Sequence, residues 1–505
     1  MRRLAPAVAA LTALIAACST GSGAAPAPSG PAASGLAATS PAGSGQSISP
    51  STRATNTPGV WVDPASVGQL YPGSVGGMLT FRGNPTRTFY GTGPVPKHPR
   101  ILWRYPGAPM CSSVPYGDAG DHSMHTWCGQ GWTGEPAVFE RGGHTWEIFG
   151  AYDSAYHFLD ATTGRPMLPD LKVGDLVKGA VSVDPDGYPF VYTGANDNFL
   201  RVISFQGSQP HELWSLNAEA VSPTLWNNDW DSSPLEIGDY LFEGGEDSQF
   251  FIIKLNRGYL PNGTAVVNPQ LVFHAPGWDD QQLRDLGDQM LSIENSLAIS
   301  GNTVYFANSG GLVQGWDISG LKKGVPPHRV FRFWTGDDTD GGVVVDEKGF
   351  LYVGSEQKRH DARQQQVGTI FKLDPRKPDN PIVWAIHDQG GGTWSNTGLY
   401  RGLLIVPTRA GHDYGIDRET GKVLWIKNLP GETVSSPVIV DGVWIQSDCT
   451  GSLRAYDLAG SYPNEPKELW SVHLSEGCIE STPAVWNGRL YVGTRAGYDF
   501  AVGDG

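Results

Sequence analysis

The 505-residue chain is poor in positive charge, in cysteine and in long apolar segments. It has 36 lysines and arginines against 51 aspartates and glutamates, which gives a formal net charge of −15 and no basic stripe. This balance argues against a nucleic-acid partner and against an anionic lipid surface. After the first 17 residues, no apolar run is long enough for a transmembrane helix. Hydrolase-elbow and metal-hydrolase motifs are also missing.

The amino terminus has the pattern of an exported bacterial protein. Residues 1–3 (Met-Arg-Arg) are followed by an apolar stretch that is too short to span a bilayer, so residues 1–17 are predicted to be a signal peptide. Residues 15–18 (Ile-Ala-Ala-Cys) resemble a lipobox, which implies a diacylated Cys18 as the mature terminus. Ordinary secretion, with cleavage near Ala17, is the alternative.

A low-complexity segment separates this leader from the rest of the chain. Residues 19–58 are almost entirely Ala, Ser, Gly, Pro and Thr, which cannot bury a core. We expect residues 18–58 to be a flexible tether with a reach of about 35 Å. Residues 59–505 would then form one extracytoplasmic domain, a monomer that contacts the membrane only through its lipid anchor.

A unit of roughly 40 residues recurs along this domain. Its clearest copy, at residues 433–470, reads as four short strands separated by turns. Repetition of four short strands at this period predicts a β-propeller. The second strand of the unit recurs eight times, at residues 147–150, 190–194, 240–244, 304–307, 351–354, 404–407, 443–446 and 490–493.

The last unit ends at Gly505 without a tryptophan-bearing fourth strand. Residues 101–105 (Ile-Leu-Trp-Arg-Tyr) supply such a strand and have no first three strands before them. We therefore predict an all-β fold, an eight-bladed propeller of four-stranded blades that is closed by an amino-terminal strand. The recurring tryptophans are expected to pack between blades.

One repeat resembles a known family. Residues 415–425 (Gly-Ile-Asp-Arg-Glu-Thr-Gly-Lys-Val-Leu-Trp) are similar to the repeat of pyrroloquinoline-quinone-like, or quinoprotein-type, propellers, and residues 160–165 form a partial second copy. The resemblance extends over roughly residues 76–505. That family contains calcium- and quinone-dependent dehydrogenases as well as cofactor-free propellers, among them the scaffold lipoprotein of outer-membrane protein assembly.

Four cysteines follow Cys18, and an even number in an exported chain predicts two disulfides. Three pairings are open. Strand order places the Cys449 hairpin and the Cys478 link on one face of the ring, and it favours Cys111–Cys128 with Cys449–Cys478. A zinc site built from His122, His125 and Cys128 is an alternative for the first pair.

The longest insertions fall on one face of the predicted ring, at residues 106–130, 275–292, 356–367 and 386–393. Insertions on one face of a rigid scaffold favour a functional role for that face. The innermost strands begin there, so the residues that lead into them converge on the channel. These candidate site residues are Glu135, Lys178, Asp231, Glu294, Asn295, Asp340, Trp394 and Glu480.

Five carboxylates that converge on one channel would repel one another unless another charge offsets them. Lys178 could offset one of them, and a bound cation could offset two or three. Ca²⁺ suits such a set because it accepts carboxylate and amide oxygens in loose geometry. A solvated acidic rim with nothing bound is the alternative.

The sequence favours a binding or scaffold function over catalysis. The family resemblance implies, for a dehydrogenase, two adjacent cysteines above the quinone and a calcium held by Glu and Asn with an Asp base. No adjacent cysteine pair occurs, no Cys-x-x-Cys-His motif is present, and Glu294, Asn295 and Asp340 do not align with the family motif. We expect a cell-envelope lipoprotein that binds an envelope protein, a peptide or a glycan and requires no cofactor. The alternative is a calcium- and PQQ-dependent dehydrogenase of alcohols or sugars.

Overall fold

The computed structural model describes residues 59–115, 123–132, 134–359 and 361–505. The predicted signal peptide, the lipobox cysteine and the tether lie outside the described residues. Within the described ranges, no helix has the length and apolar character needed to cross a bilayer.

Eight antiparallel four-stranded sheets form a ring, which confirms the predicted propeller. Blade 1 consists of Ala137–Arg141, His144–Ala151, Ala155–Asp160 and Arg165–Lys172, and blade 2 of Ser182–Val183, Phe190–Gly194, Phe199–Ser204 and His211–Asn217. Blade 3 consists of Leu235–Ile237, Tyr240–Gly244, Gln249–Lys254 and Gln270–Pro276, and blade 4 of Ala298–Ser300, Thr303–Phe306, Leu312–Asp317 and His328–Trp334.

The other half of the ring repeats this order. Blade 5 consists of Val344–Val345, Leu351–Gly354, Ile370–Leu373 and Ile382–Ile386, and blade 6 of Gly398–Tyr400, Leu403–Val406, His412–Asp417 and Val423–Asn428. Blade 7 consists of Val438–Val440, Val443–Ser447, Ser452–Asp457 and Lys467–His473. Blade 8 combines Ala484–Trp486, Arg489–Gly493 and Asp499–Asp504 with Pro99–Tyr105 as its outermost strand.

Blade 8 combines an amino-terminal strand with the last three strands of the chain. Pro99–Tyr105 pairs antiparallel with Asp499–Asp504, so that Tyr105 lies opposite Asp499. The innermost strand of blade 8 also lies beside that of blade 1. Joining the first and last blades in this way leaves no open edge between them.

A tryptophan in the outermost strand docks on the next blade, as the repeat predicts. The Trp384 indole of blade 5 donates to the carbonyl of Arg418 (3.1 Å) in the turn of blade 6. The Trp103 indole of blade 8 donates in the same way to Ala161 (3.0 Å) of blade 1. In these two blade pairs, the Asp-x-x-x-Gly turn of one blade therefore receives the indole of the preceding blade.

The insertions carry the remaining elements. Both predicted disulfides, Cys111–Cys128 and Cys449–Cys478, are confirmed. The zinc alternative is wrong, because Cys128 is bonded to Cys111; its His122 lies outside the described residues. The other elements of the described ranges are the hairpins Cys111–Pro115 with Met124–Cys128 and Gly258–Tyr259 with Ala265–Val266, the α-helices Asp280–Leu286, Ala362–Val367 and Leu458–Ser461, and the 3₁₀ turns Pro64–Ser66, Ala218–Ala220 and Leu321–Lys323.

The two ends of the channel differ. We call the end at which the innermost strands begin the mouth, and the other end the base. Residues before the ring cross the base: Val62 forms a bridge with Gly301, and Val75 donates to Pro185 (3.1 Å). The chain then enters the channel, and Gly77–Met78 adds an extra strand inside Ala137–Arg141 of blade 1.

Residues 77–92 fill the channel from the base, and we call them the plug. No repeat or motif in the sequence predicts the position of this segment. Besides its pairing with blade 1, the plug has a hydrogen bond to each of the other seven blades. The partners are Val183, Ser233, Ile299, Val345, Leu399, Pro437 and Val485, in blades 2 to 8 in that order.

Candidate functional site

Three carboxylates from blades 3 and 4 meet at the mouth. Asp231, Glu246 and Glu294 each offer an oxygen within 4.8 Å of the others, and we call them the first triad. Asp231 and Glu294 precede the innermost strands of blades 3 and 4, as the sequence predicted. Glu246 lies in a hairpin, two residues after Tyr240–Gly244.

A second group of the same kind belongs to blade 5. Asp338, Asp340 and Glu356 also bring oxygens within 4.8 Å of one another, and we call them the second triad. Asp338 and Asp340 precede the innermost strand, whereas Glu356 follows Leu351–Gly354 by two residues. Glu356 therefore occupies in blade 5 the position that Glu246 occupies in blade 3.

Each triad has one lysine as an internal counter-ion. The Lys178 ammonium lies 2.9 Å from Asp231 Oδ2 and 3.9 Å from Glu246 Oε1. The Lys358 ammonium lies 2.9 Å from Asp338 Oδ2. Six carboxyl groups thus share two ammonium groups as direct ion-pair partners, and the Arg359 side chain borders the cavity beside them.

Burial changes the protonation of these acids. It raises the pKa of Glu294 to about 7, assisted by the charges of Asp231 and Asp338. It raises the pKa of Glu356 to about 8, with Asp338 adding to the effect. Burial and the neighbouring carboxylates also raise the pKa of Asp340. The triads therefore exchange protons close to neutral pH.

Several triad oxygens have no hydrogen-bond partner among the described residues. They include Asp231 Oδ1, Glu246 Oε2 and Asp338 Oδ1, and these three residues are almost fully buried. Buried acceptors are normally paired, so these oxygens need a donor or a cation. A cavity of about 10 Å³, bordered by Glu294, Asp338 and Lys358, lies between the triads. That volume is close to what one water or one small ion requires.

Two of the predicted site residues have other roles in the ring. Glu135 is buried against the plug, where its Oε2 accepts from the Arg82 backbone N–H (2.7 Å), and burial raises its pKa to about 8. The Asn295 amide donates to the carbonyls of Ala307 (2.9 Å) and Thr339 (3.0 Å). This amide ties blade 4 to the link into blade 5.

The remaining two belong to neither triad, although the Trp394 side chain lies beside Glu356 of the second triad. The Trp394 ring centroid is 6.1 Å from that of Trp132 and 4.0 Å from the Arg409 guanidinium carbon. Glu480 pairs with Arg495 at 3.5 Å. The structure thus brings Lys178, Asp231, Glu294 and Asp340 into the two triads, and leaves Glu135, Asn295, Trp394 and Glu480 outside them.

Sequence reasoning missed the hairpin members of the site, Glu246, Glu356 and Lys358. A signal for them was present, because both glutamates follow the glycine that ends a second strand, Gly244 or Gly354, by two residues. Hairpins between second and third strands open at the mouth, so these positions point to the same place as the leading residues. The plug had no comparable signal.

The fold and its mouth define a closed β-propeller with an acidic opening. The family described as outer membrane protein assembly factor BamB matches residues 368–462, which include the repeat at 415–425. Over this part of its length the chain is therefore similar to the PQQ-like β-propellers. No curated protein matches it.

Solved structures with the same fold have low sequence identity. The quinohemoprotein alcohol dehydrogenase of Comamonas testosteroni is 14% identical, with 85% of this chain and 80% of that chain covered and a TM-score of 0.55. A europium-containing methanol dehydrogenase is 11% identical, with 85% and 98% covered and a TM-score of 0.51. The computationally designed Ika8 protein is 13% identical, with 74% and 96% covered and a TM-score of 0.50.

Proposed function

We propose that this protein is an extracytoplasmic binding propeller whose ligand site is the acidic mouth. One observation carries the proposal: the plug fills the channel from the base, whereas both triads lie at the mouth with buried oxygens that lack partners. The channel is therefore a cup with one opening. The insertions around that opening supply a surface for a larger partner, for which an envelope protein, a peptide or a glycan each remains a candidate.

A divalent cation such as Ca²⁺ suits the first triad. Oxygens that each lie about 2.4 Å from one ion are at most about 4.8 Å apart. The oxygens of Asp231, Glu246 and Glu294 meet that limit. Because Glu294 carries a proton near neutral pH, a cation would displace that proton, and affinity should increase as the pH rises.

The quinone of the dehydrogenase alternative fits these residues poorly. Pyrroloquinoline quinone is an anionic tricarboxylate, and the triads carry six carboxyl groups against two lysines. The Trp394 indole, a candidate stacking surface, is already in contact with Arg409 and Trp132. Similarity at 11–14% identity to dehydrogenases supports the fold alone. We therefore assign no redox step to this chain.

The extracytoplasmic location is supported by the two disulfides, since such bonds persist mainly in oxidising compartments. Anchoring through Cys18 rests on the lipobox resemblance. Cys18→Ala should release the protein from the membrane fraction, and an intact mass without acyl chains in the native protein would contradict the anchor. Size-exclusion chromatography with light scattering tests the expected monomer.

Terbium luminescence tests the mouth directly, because Trp226 borders the cavity and can sensitise a bound lanthanide. We expect purified protein to bind Tb³⁺ in a manner that Ca²⁺ reverses, with affinity lowered about tenfold or more by Asp231→Asn and by Glu294→Gln. Glu480→Gln is the matched control, since this partly buried acid precedes an innermost strand but lies outside the triads.

Equal effects of all three variants, or no sensitised signal in the wild type, would contradict the proposed site. Adding pyrroloquinoline quinone with a panel of alcohols and sugars covers the alternative. A quinone spectrum with substrate-dependent dye reduction that Glu294→Gln abolishes would favour the dehydrogenase. Affinity capture from an envelope extract, compared between wild type and a variant with residues 280–286 replaced, would test the loop surface.

A further inference from the structure

Two arginines of the plug are completely buried in the channel. Arg82 and Arg87 both have no exposed surface. Neither guanidinium has a carboxylate partner at hydrogen-bond distance among the described residues, and each of them donates to backbone carbonyls of two blades. A guanidinium is a rigid planar fork of donors, so it fixes the separation of the groups that accept from it.

Arg87 joins the two blades that carry the first triad. Its Nε donates to the carbonyl of Leu297 in blade 4 (2.7 Å), and its Nη2 donates to the carbonyl of Ser233 in blade 3 (3.0 Å). Ser233 follows Asp231 by two residues, and Leu297 follows Glu294 by three. The arginine therefore holds the backbone two residues after Asp231 and three residues after Glu294.

A second bond between the same blades depends on the same spacing. The Ser233 backbone N–H donates to Ser296 Oγ (3.0 Å). Because this bond crosses from blade 3 to blade 4, any change in the distance between the two strand starts would weaken it. Exchange of the Ser233 amide hydrogen thus reports that distance without any ligand.

Arg82 forms the equivalent clamp on the far side of the channel. It donates to the carbonyls of Thr397 in blade 6 (3.0 Å) and of Pro437 in blade 7. The Asn396 backbone N–H crosses between these blades to Ser436 Oγ (3.1 Å). Neither triad has a member in blades 6 and 7, so Arg82 is a matched internal control.

We propose that Arg87 is a positioning residue for the mouth, and that it sets the separation of Asp231 and Glu294 by holding blades 3 and 4 together from inside the channel. The plug is then part of the binding site as well as its floor. The proposal rests on the proposed function for its ligand, but the spacing itself can be measured without one.

The experiment compares Arg87→Met with Arg82→Met in the full chain. Methionine keeps the apolar length and removes the fork. In hydrogen exchange without ligand, we expect the Ser233 amide to exchange about tenfold faster in Arg87→Met, which is the loss of roughly one hydrogen bond, and the Asn396 amide to respond only in Arg82→Met. Arg87→Lys, which keeps the charge but cannot bridge both carbonyls, should behave as Arg87→Met does and serves if the methionine variant does not fold.

Tb³⁺ titration supplies the second readout. Arg87→Met should bind Tb³⁺ about 10- to 100-fold more weakly, as expected when a group that orients ligands is lost, whereas Arg82→Met should bind as the wild type does. If both variants accelerate hydrogen exchange of the Ser233 and Asn396 amides equally, neither arginine acts only on its own pair of blades, and the proposal is wrong. If each amide exchanges faster only in the expected variant but the wild type binds no Tb³⁺, the proposed cation site is wrong and the positioning role of Arg87 stands. If Arg87→Met binds Tb³⁺ as tightly as the wild type, Arg87 does not position the triad.

Discussion

Gly421 of blade 6 lies directly against the indole of Trp384 in blade 5. A Cβ at Gly421 would be 2.6 Å from the indole Cγ, and the glycine has a positive φ of 73°. This turn therefore needs both the space and the backbone conformation of a glycine, because it receives Trp384 from the preceding blade.

Gly421→Ala is predicted to destabilise the ring by roughly 2–4 kcal/mol, the sum of a left-handed backbone penalty and overpacking against the indole. Gly207→Ala is the matched control, since Gly207 also has a positive φ (93°) but nothing within 4 Å of the added Cβ. Urea denaturation of the two variants separates the backbone penalty, which both share, from the overpacking, which only Gly421→Ala has. Equal losses would mean that the Trp384 contact adds nothing.

Stability should decline as the pH rises from 5 to 8.5. Burial raises the pKa of Glu243 to about 8, and several other buried acids share this property. Between roughly pH 4.5 and 8 the folded state therefore holds more protons than the unfolded chain, so the free energy of unfolding falls with pH. The acids concerned, with pKa values raised to about 7 or 8, are Glu135, Glu243, Asp247, Glu294, Glu356 and Asp499.

Glu243→Gln, which imitates the protonated acid, should flatten this dependence by up to roughly 1 kcal/mol per pH unit. Thermal melting from pH 5 to 8.5 measures it. Asp279 provides the contrast: although burial opposes the shift, Arg332 and Arg329 lower its pKa to about 2, so Asp279→Asn should leave the slope above pH 5 unchanged. A wild-type stability that increases towards pH 8.5 would refute the assignment of protonated buried acids.

Loss of the Cys449–Cys478 bridge should cost about 2–4 kcal/mol, because it joins a hairpin of blade 7 to the link into blade 8 across 29 residues. The Cys449→Ser/Cys478→Ser pair, compared with the Cys111→Ser/Cys128→Ser pair in denaturant titrations, measures both bridges. Reduction of the wild type should reproduce the double substitutions. Non-reducing peptide maps with any cross-pairing would contradict the strand order.

Asn295 is predicted to be structural and not a ligand. Asn295→Ala leaves the carbonyls of Ala307 and Thr339 without their donor, which should cost about 2–4 kcal/mol. Asn295→Asp should cost at least as much, because it buries a carboxylate beside the same two carbonyls. If either variant kept wild-type stability while losing Tb³⁺ affinity, Asn295 would be a ligand after all.

The architecture could be predicted because its causes are local. Each blade carries its own short strands of alternating pattern, and six of the eight carry a tryptophan in the outermost strand, so eight copies in the sequence give eight blades in the ring. The disulfide pairing followed from strand order, since that order fixes the face on which each hairpin and link opens. The same strand order placed Lys178, Asp231, Glu294 and Asp340 at the start of the innermost strands.

The triads themselves depended on the tertiary structure. Residues that lead into innermost strands all point to the mouth, but the ring decides which of them meet. Asp231 and Glu294 form a triad with Glu246. Glu135 is covered by the plug, and Asn295 donates hydrogen bonds that link blade 4 to the segment before blade 5. The sequence predicts where a residue lies along the channel axis. The packing of neighbouring blades sets the distances between side chains on which a binding site depends.

The sequence by itself determined the number of blades, their strand order and the two disulfides, because these follow from short-range patterns of hydrophobicity and turn residues. Only the tertiary structure decided that residues 77–92 fill the channel. That segment has no repeat pattern, and its position depends on partners far away in the sequence, such as Leu297 and Pro437, 210 and 355 residues from Arg87 and Arg82. Those carbonyls form a site for the two guanidinium groups only after the blades have assembled into a ring.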